Sequence, residues 1–422
     1  MRKIVTTNDQ NEFPRNSKYS QDSLLREQVI SEIKRLTATY VNVKDFGAVG
    51  DGVADDTTAI NSAIASLPER GGSVFFPAGT YLHTDDIKAR NALWLFGEGS
   101  SSTVLYQVEP SKNGISGVDV LTLKISGIKL AGPTGGTGTG ILLSRKNNNA
   151  TNYLHLSDVH IRTFGQDGIY VSNGIVSRFD SVVSSYNGRH GFFFQGLDGV
   201  IGTSTTLSNC FADDNGASGY MIDTMGYMAL VACAADHNTV GYTLQNAIGV
   251  TVTGSGAENN GDGWIISGGY GNVITGGWVY TNNGVGVHIK DNSIGASILG
   301  LSETSPAATA TAFVKVDAGS KATVMNVHNT TANSFAPGTT QIINDVVGNS
   351  AFNGSLDVQG ELLVNGVKVN TMRGSRWYIQ GTETPDYSNV QNPIEGDIFL
   401  YTNSKDLFRF NGTEWTYAGS IA

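Results

Sequence analysis

Asp213, Asp236 and Glu258 each stand two residues ahead of an asparagine, in segments that read DDNGASGYMID, DHNTVGYTLQ and ENNGDGWIIS. The flanking segments SYNGRHGFFFQ and TNNGVGVHIK place Ser185 and Thr281 at the same point. If each segment is one turn of a winding chain, the three carboxylates stack about 4.8 Å apart. Like charges so close repel and raise one another's pKa, which costs stability unless something offsets it. The arrangement suits glycoside hydrolysis, in which one carboxyl protonates the leaving oxygen while another activates water or attacks carbon. Asp213 and Asp236 match the spacing of retaining enzymes, and Asp213 and Glu258 that of inverting ones. Asp214 and His237, one place nearer the asparagine, extend the same edge. Arg189 and His190, in an NGRHG turn, are the further candidates for contact with substrate. The same pattern is equally that of a solvated acidic edge beside a turn.

Elimination chemistry makes a different demand: a cation to neutralise a uronate carboxylate and a base to take the α-proton. Residues 150 to 300 carry four cationic side chains, Arg162, Arg178, Arg189 and Lys290, against eleven acidic ones. Hydrolysis without a cofactor is therefore the expectation. Ca2+ on the acidic column, with Arg189 or His190 as its partner, enters only for a lyase. The aspartates outside the column, Asp167, Asp180 and Asp223, are the next place to look.

The elements that must position these groups follow from the repeat. The shared asparagines are Asn187, Asn215, Asn238, Asn260 and Asn283, spaced by 28, 23, 22 and 23 residues. A period of this size is one solenoid turn. After each turn the apolar residues alternate: Phe192 and Phe194, Tyr220 and Ile222, Tyr242 and Leu244, Trp264 and Ile266, Val287 and Ile289. Period two places them on one face of a strand, inside the solenoid. Gly191, Gly219, Gly241, Gly263 and Gly286 precede those strands, where a positive φ or a close backbone approach favours glycine. The asparagines read as an amide ladder that satisfies buried turn groups. The opposite strand face, Tyr170, Phe193, Met221, Thr243, Ile265 and His288, is too apolar for a solvated sheet and reads as a subunit contact.

Composition agrees with a solenoid of turns. Glycine fills 53 of 422 positions without a collagen period, and the net charge of −10 argues against binding to nucleic acid or an anionic membrane. Cys210 and Cys233 read as buried thiols. The opening MRKIVTTNDQNEF has no apolar run of signal-peptide length, so synthesis in a cytoplasm without secretion is expected.

Residues 41 onward, VNVKDFGAVGDGVADDTTAINSAIASLPERGGSVFFPAGTYL, resemble the opening of the pectate lyase-like superfamily, found in polygalacturonase relatives and many phage tailspikes. The resemblance implies a right-handed parallel β-helix closed at its N-terminal end by the helix carrying Ala59, Ile60, Ala63 and Ile64. Asp45, Asp51, Asp55 and Asp56 then read as turn and cap residues. The segment GSLDVQGELLVNGVKV, 354 to 369, resembles the interwoven strands of phage fibres, and the aromatic-rich end from 396 resembles a small module of phage tail proteins.

The expectation is an all-β chain: an N-terminal helical segment to residue 40, with Leu25, Val29, Ile33 and Leu36 on one face, then a β-helix over 41–350. An interwoven trimerisation segment over 351–372 and a β module over 373–422 complete it. What the resemblance implies is a homotrimeric tailspike on a virion tail or baseplate that binds and depolymerises a bacterial surface polysaccharide. A non-catalytic receptor-binding fibre is the alternative, and a cellular pectinase-like enzyme the third reading.

Overall fold

The structure is a computed structural model. Its described residues run from 40 to 329 except 147–150, 306 and 326, together with Arg26, Val29, 362–364, 367–369, 377–380, 395, 397–401 and 406–420. The stripe Leu25 to Leu36 lies outside them apart from Val29. The chain divides into two units, Met1–Asn344 and Asp345–Ala422.

Over residues 40–329 the first unit is a parallel β-solenoid of about 11 turns that carries the α-helix Thr57–Ser66. Each central turn runs through three strands: Ala229–Val231, Ala234–Asp236 and Val240–Gln245, for example, pair in register with Thr251–Thr253, Gly256–Glu258 and Asp262–Ser267 of the next turn. The third strands build a 10-stranded parallel sheet, and the first two belong to a 21-stranded sheet. Pairing continues to His328–Asn329. The pattern of apolar and turn residues fades after residue 300, but backbone hydrogen bonds need no particular side chains.

The inward faces match the alternation in the sequence. Phe192, Tyr220, Tyr242 and Trp264 are fully buried and stack at centroid distances of 4.8, 4.7 and 5.1 Å with interplanar angles of 7° or less. Parallel strands in register force such a column, and each ring pair adds about 0.5–1.5 kcal/mol beyond its buried area. The helix Thr57–Ser66 buries Ile60, Ala63 and Ile64. The aspartates before it serve the backbone: Asp51 accepts from the amides of Val53 and Ala54, Asp55 from that of Thr57, and Asp56 from those of Val49 and Gly50. Cys210 and Cys233 are buried free thiols. No helix among the described residues is long and apolar enough to cross a membrane.

Gly191 precedes its strand, whereas Gly219, Gly241, Gly263 and Gly286 are the second residues of theirs, and all five are chosen by close approach and not by φ. A methyl on Gly241 would stand 2.6 Å from the Gly263 carbonyl oxygen, and one on Gly219 2.8 Å from that of Gly241. Gly241→Ala must push two turns apart, and a loss of about 1–3 kcal/mol is expected. Urea unfolding at an unchanged midpoint would contradict this account.

The asparagine ladder is present, with one correction. Asn187, Asn215, Asn238 and Asn260 are followed by Asn282, whose Oδ1 accepts from the Asn260 amide at 2.9 Å and from its Nδ2 at 3.1 Å. The last period is therefore 22 residues, and Asn283 is exposed. Adjacent asparagines in TNNG make either choice look alike in the sequence.

Among the residues on the outer face of the 10-stranded sheet, Phe193 is buried and Tyr170, Met221, Thr243, Ile265 and His288 are half-buried. Much of the cover comes from the chain itself: Tyr170 and Phe193 pack edge to face, and His288 pairs with Asp317 at 2.9 Å.

In the second unit, Leu362–Val364 and Val367–Val369 form an antiparallel pair. Trp377–Gln380, Ile398–Tyr401, Asp406–Phe410 and Trp415–Ser420 form a four-stranded sheet. Trp415 packs on Phe399 and Phe410, as a core residue of this unit does.

Candidate active site

The strands Phe211–Asp213, Ala234–Asp236 and Gly256–Glu258 lie side by side, with Asp213 opposite Asp236 and Asp236 opposite Glu258. Their middle residues Ala212, Ala235 and Ala257 are buried, so the residues on either side point outward. The carboxylates thus share one flank of the solenoid. Ser185 precedes them and Tyr280 follows, in the place the sequence pattern assigned to Thr281. The shift is the one that moves the ladder to Asn282.

After each strand the backbone turns through a left-handed residue: Tyr186, Asp214, His237, Asn259 and Thr281 have φ between 48° and 56°. This conformation is uncommon outside glycine, and here it leads each turn into its buried ladder asparagine. His237 Nδ1 lies 3.1 Å from Asp236 Oδ1 and 3.7 Å from Asp213 Oδ1, so one imidazole spans both carboxylates. Asn259 Nδ2 donates to Asp236 Oδ1 at 2.9 Å, and the Thr281 hydroxyl holds Asn259 Oδ1 in turn.

On the other side of Asp213, the nearby Asp214 carboxylate pushes the Tyr186 phenol pKa up. The Arg162 guanidinium sits 5.2 Å from the Tyr186 ring centroid. His160, bonded to Ser185 at 3.1 Å, is pushed down to about 4 by burial and by Lys129 and Arg162, so it is neutral near pH 7.

Burial, then Asp214 and Asp236, raise the Asp213 pKa against the opposing effect of His237. Burial, then Asp236, raise that of Glu258. The pair Asp213 and Asp236 is therefore asymmetric: one carboxyl has its proton favoured, while the other is an acceptor fixed by Asn259 and His237. Environments that treat two carboxyls differently are how acid and base roles are divided. Asp213, Asp214 and His237 offer ligand atoms within 4.8 Å of one another. One nitrogen and two carboxylates suit a transition-metal ion better than calcium, which takes about 6–8 oxygens.

The structure thus brings together Asp213, Asp214, Asp236, His237 and Glu258. Arg189 and His190 lie past the ladder, at the start of the third strand of their turn. Arg189 pairs with the buried Asp167 and lies over Phe193, while His190 Nδ1 accepts from the Ser218 amide at 3.1 Å. Both are committed to that neighbouring surface. Asp180 is bonded to Ser208 and Asp223 to Gln195. Sequence reading missed Tyr186, Asn259 and Tyr280 and gave Arg162 no place. Tyr186 and Asn259 occupy the column of Asp214 and His237, so the repeat itself held that signal.

Comparison with known proteins supplies relatives for this flank. The profile of the rhamnogalacturonase A/epimerase, pectate lyase-like family matches residues 40–265. A mannuronan C5-epimerase of Azotobacter vinelandii, AlgE5, is 29% identical over 235 residues, which cover 44% of this chain and 23% of that protein. Alginate lyase 7 of the same organism is 29% identical over 198 residues, covering 36% of this chain and 23% of the lyase. The chain thus spans under a quarter of either relative. Among solved structures, tailspike protein 2 of an Escherichia coli O157:H7 bacteriophage superposes with a TM-score of 0.59 at 19% identity, over 68% of this chain and 42% of that one. The likeness to the tailspike is one of fold. With the family profile extending over more than half of its length, the chain belongs to the rhamnogalacturonase A/epimerase family of pectate lyase-like proteins.

Proposed function

We propose that this protein is a tailspike-type enzyme that cleaves a bacterial surface polysaccharide by glycoside hydrolysis, with Asp213 as general acid and Asp236 as nucleophile or base. The observation that carries the reading is the in-register pair Asp213 and Asp236, held differently by Asn259 and His237. Adjacent strands are about 4.8 Å apart, close to the roughly 5 Å that lets one carboxyl attack while the other protonates. His237 Nδ1 stands beside both carboxylates, 3.1 Å from Asp236 and 3.7 Å from Asp213. Polysaccharide as the substrate class is supported by the relatives, whose names concern mannuronan and alginate. Assembly as a homotrimer on a virion tail belongs to the same reading, supported by the likeness of fold to a tailspike.

A second reading has its own observation. His237 beside Asp236, with Tyr186 and Arg162 across Asp213, is a base, a phenol and a cation on one flank. Proton abstraction next to a uronate carboxylate uses such a set. Product analysis separates the two. Incubation with polysaccharide from the host surface is expected to release oligosaccharides with new reducing ends and no conjugated uronate. Unsaturated, ultraviolet-absorbing ends would establish elimination, and binding without release would leave a receptor-binding fibre.

A further inference from the structure

The outward column beside the carboxylates runs Phe211, Ala234, Gly256, Trp278 and Ser302, paired turn by turn. Two aromatic rings thus stand three turns apart, roughly 14 Å at the usual strand spacing, with only a methyl group and a hydrogen between them. Trp278 leaves 41% of its surface in water. It is nonetheless fixed: its Nε1 donates to Thr304 Oγ1, and its ring packs against Tyr280 at 4.8 Å. Beside it no side chain rises from Gly256 itself, and the Glu258 carboxylate leans over that position. A methyl on Gly256 would meet only Glu258 Oε1, at 3.3 Å, and the Trp278 carbonyl, at 3.9 Å.

The two sides of this trough differ. Along one lie Asp213, Asp236 and Glu258 on the same strands. On the other, the strands Ala229–Val231, Thr251–Thr253, Val273–Thr275 and Ile294–Leu299 carry no charged residue. Apolar ends, a floor of small residues and one wall of hydrogen-bond acceptors, which reaches over that floor at Glu258, complement a pyranose, which has apolar C–H faces and a rim of hydroxyl donors. A second copy of this chain fits poorly here, because it would bury the acidic column of a molecule whose net charge is −10.

We infer that Phe211 and Trp278 bracket a saccharide-binding trough, floored by Ala234 and Gly256, in which a short stretch of glycan lies along the carboxylate column. The inference rests on the polysaccharide reading above and assigns the surface that holds the chain in register with Asp213 and Asp236. Trp278 is a positioning residue here, distant by one turn from Glu258.

The test is calorimetric titration of polysaccharide extracted from the host surface, in an Asp236→Asn background so that cleavage does not consume it. Trp278→Ala is expected to weaken binding about tenfold or more, the scale of one lost aromatic stack. Ala234→Leu, which fills the floor with a side chain, is expected to do the same, and Trp278→Phe to restore part of the loss. Tyr227→Ala, at an exposed tyrosine on another edge of the solenoid, is expected to bind as the parent does. Unchanged binding by both Trp278→Ala and Ala234→Leu would overturn the trough, even if the wild-type protein cuts the glycan and so upholds the enzymatic reading. A wild-type protein that neither binds nor cuts it overturns both. A change in oligomeric mass on Trp278→Ala would make this face a protein contact and overturn the trough alone.

Discussion

Asp236→Asn is expected to lower glycan cleavage by a factor of about 10² or more while the protein melts at the same temperature or higher. Asp236 is the acceptor on which both His237 and Asn259 converge, so the neutral amide removes the base and releases the imidazole. It also removes a charge that adds to the effect of burial on both Asp213 and Glu258, and to that of Asp214 on Asp213, in raising their pKa. Asp213→Asn is expected to lose cleavage on the same scale, through loss of the acid.

The stability side follows from linkage. A carboxyl whose folded pKa lies above its unfolded value binds its proton more tightly in the folded state, so stability is lost as the group ionises. For Asp213 and Glu258 the penalty is absent below their unfolded values of 3.8 and 4.5 and complete above the raised folded ones. At neutral pH, Asp213→Asn and Glu258→Gln each remove it. Initial rates and melting curves on the same preparations decide the matter. Near-normal cleavage by all three variants would reduce the column to a solvated edge.

Asn238→Ala is expected to do the reverse, costing about 2–4 kcal/mol of stability while activity per folded molecule is retained. Asn238 Oδ1 accepts from the Asn215 backbone amide at 3.0 Å and from Asn215 Nδ2 at 2.9 Å. Its Nδ2 donates to the carbonyls of Ala212 and Asp236 and to Asn260 Oδ1. Asn238 is only 3% exposed, so water cannot replace these partners without opening the turn, and the Asn215 amide is left unpaired. Normal melting with selective loss of cleavage would move this column from scaffold to catalysis.

Much of this molecule is legible in its sequence because a solenoid repeats one local solution. The period of the asparagines, the alternation of Tyr220 with Ile222 or Trp264 with Ile266, and the Asp55 carboxylate on the first helical amide are short-range patterns, whereas Asp56 turns back to Val49 and Gly50 and does not cap the helix with its side chain. In-register stacking then forces each to lie on its counterpart one turn away. The same logic aligns Asp213, Asp236 and Glu258 from their spacing alone. It failed at TNNG, where two adjacent asparagines satisfy the pattern equally and only the pairing of Asn260 with Asn282 settles the frame.

Period and polarity along the chain therefore set the repeat, its inward face and the alignment of its columns. The tertiary structure alone decided which side chains meet around them. The left-handed turn at His237 sets its imidazole against Asp236, Asp167 draws Arg189 away to the neighbouring surface, and Glu258 leans over Gly256 beside the exposed Trp278. Those outcomes depend on side-chain direction and on contacts between turns, and spacing along a chain specifies neither.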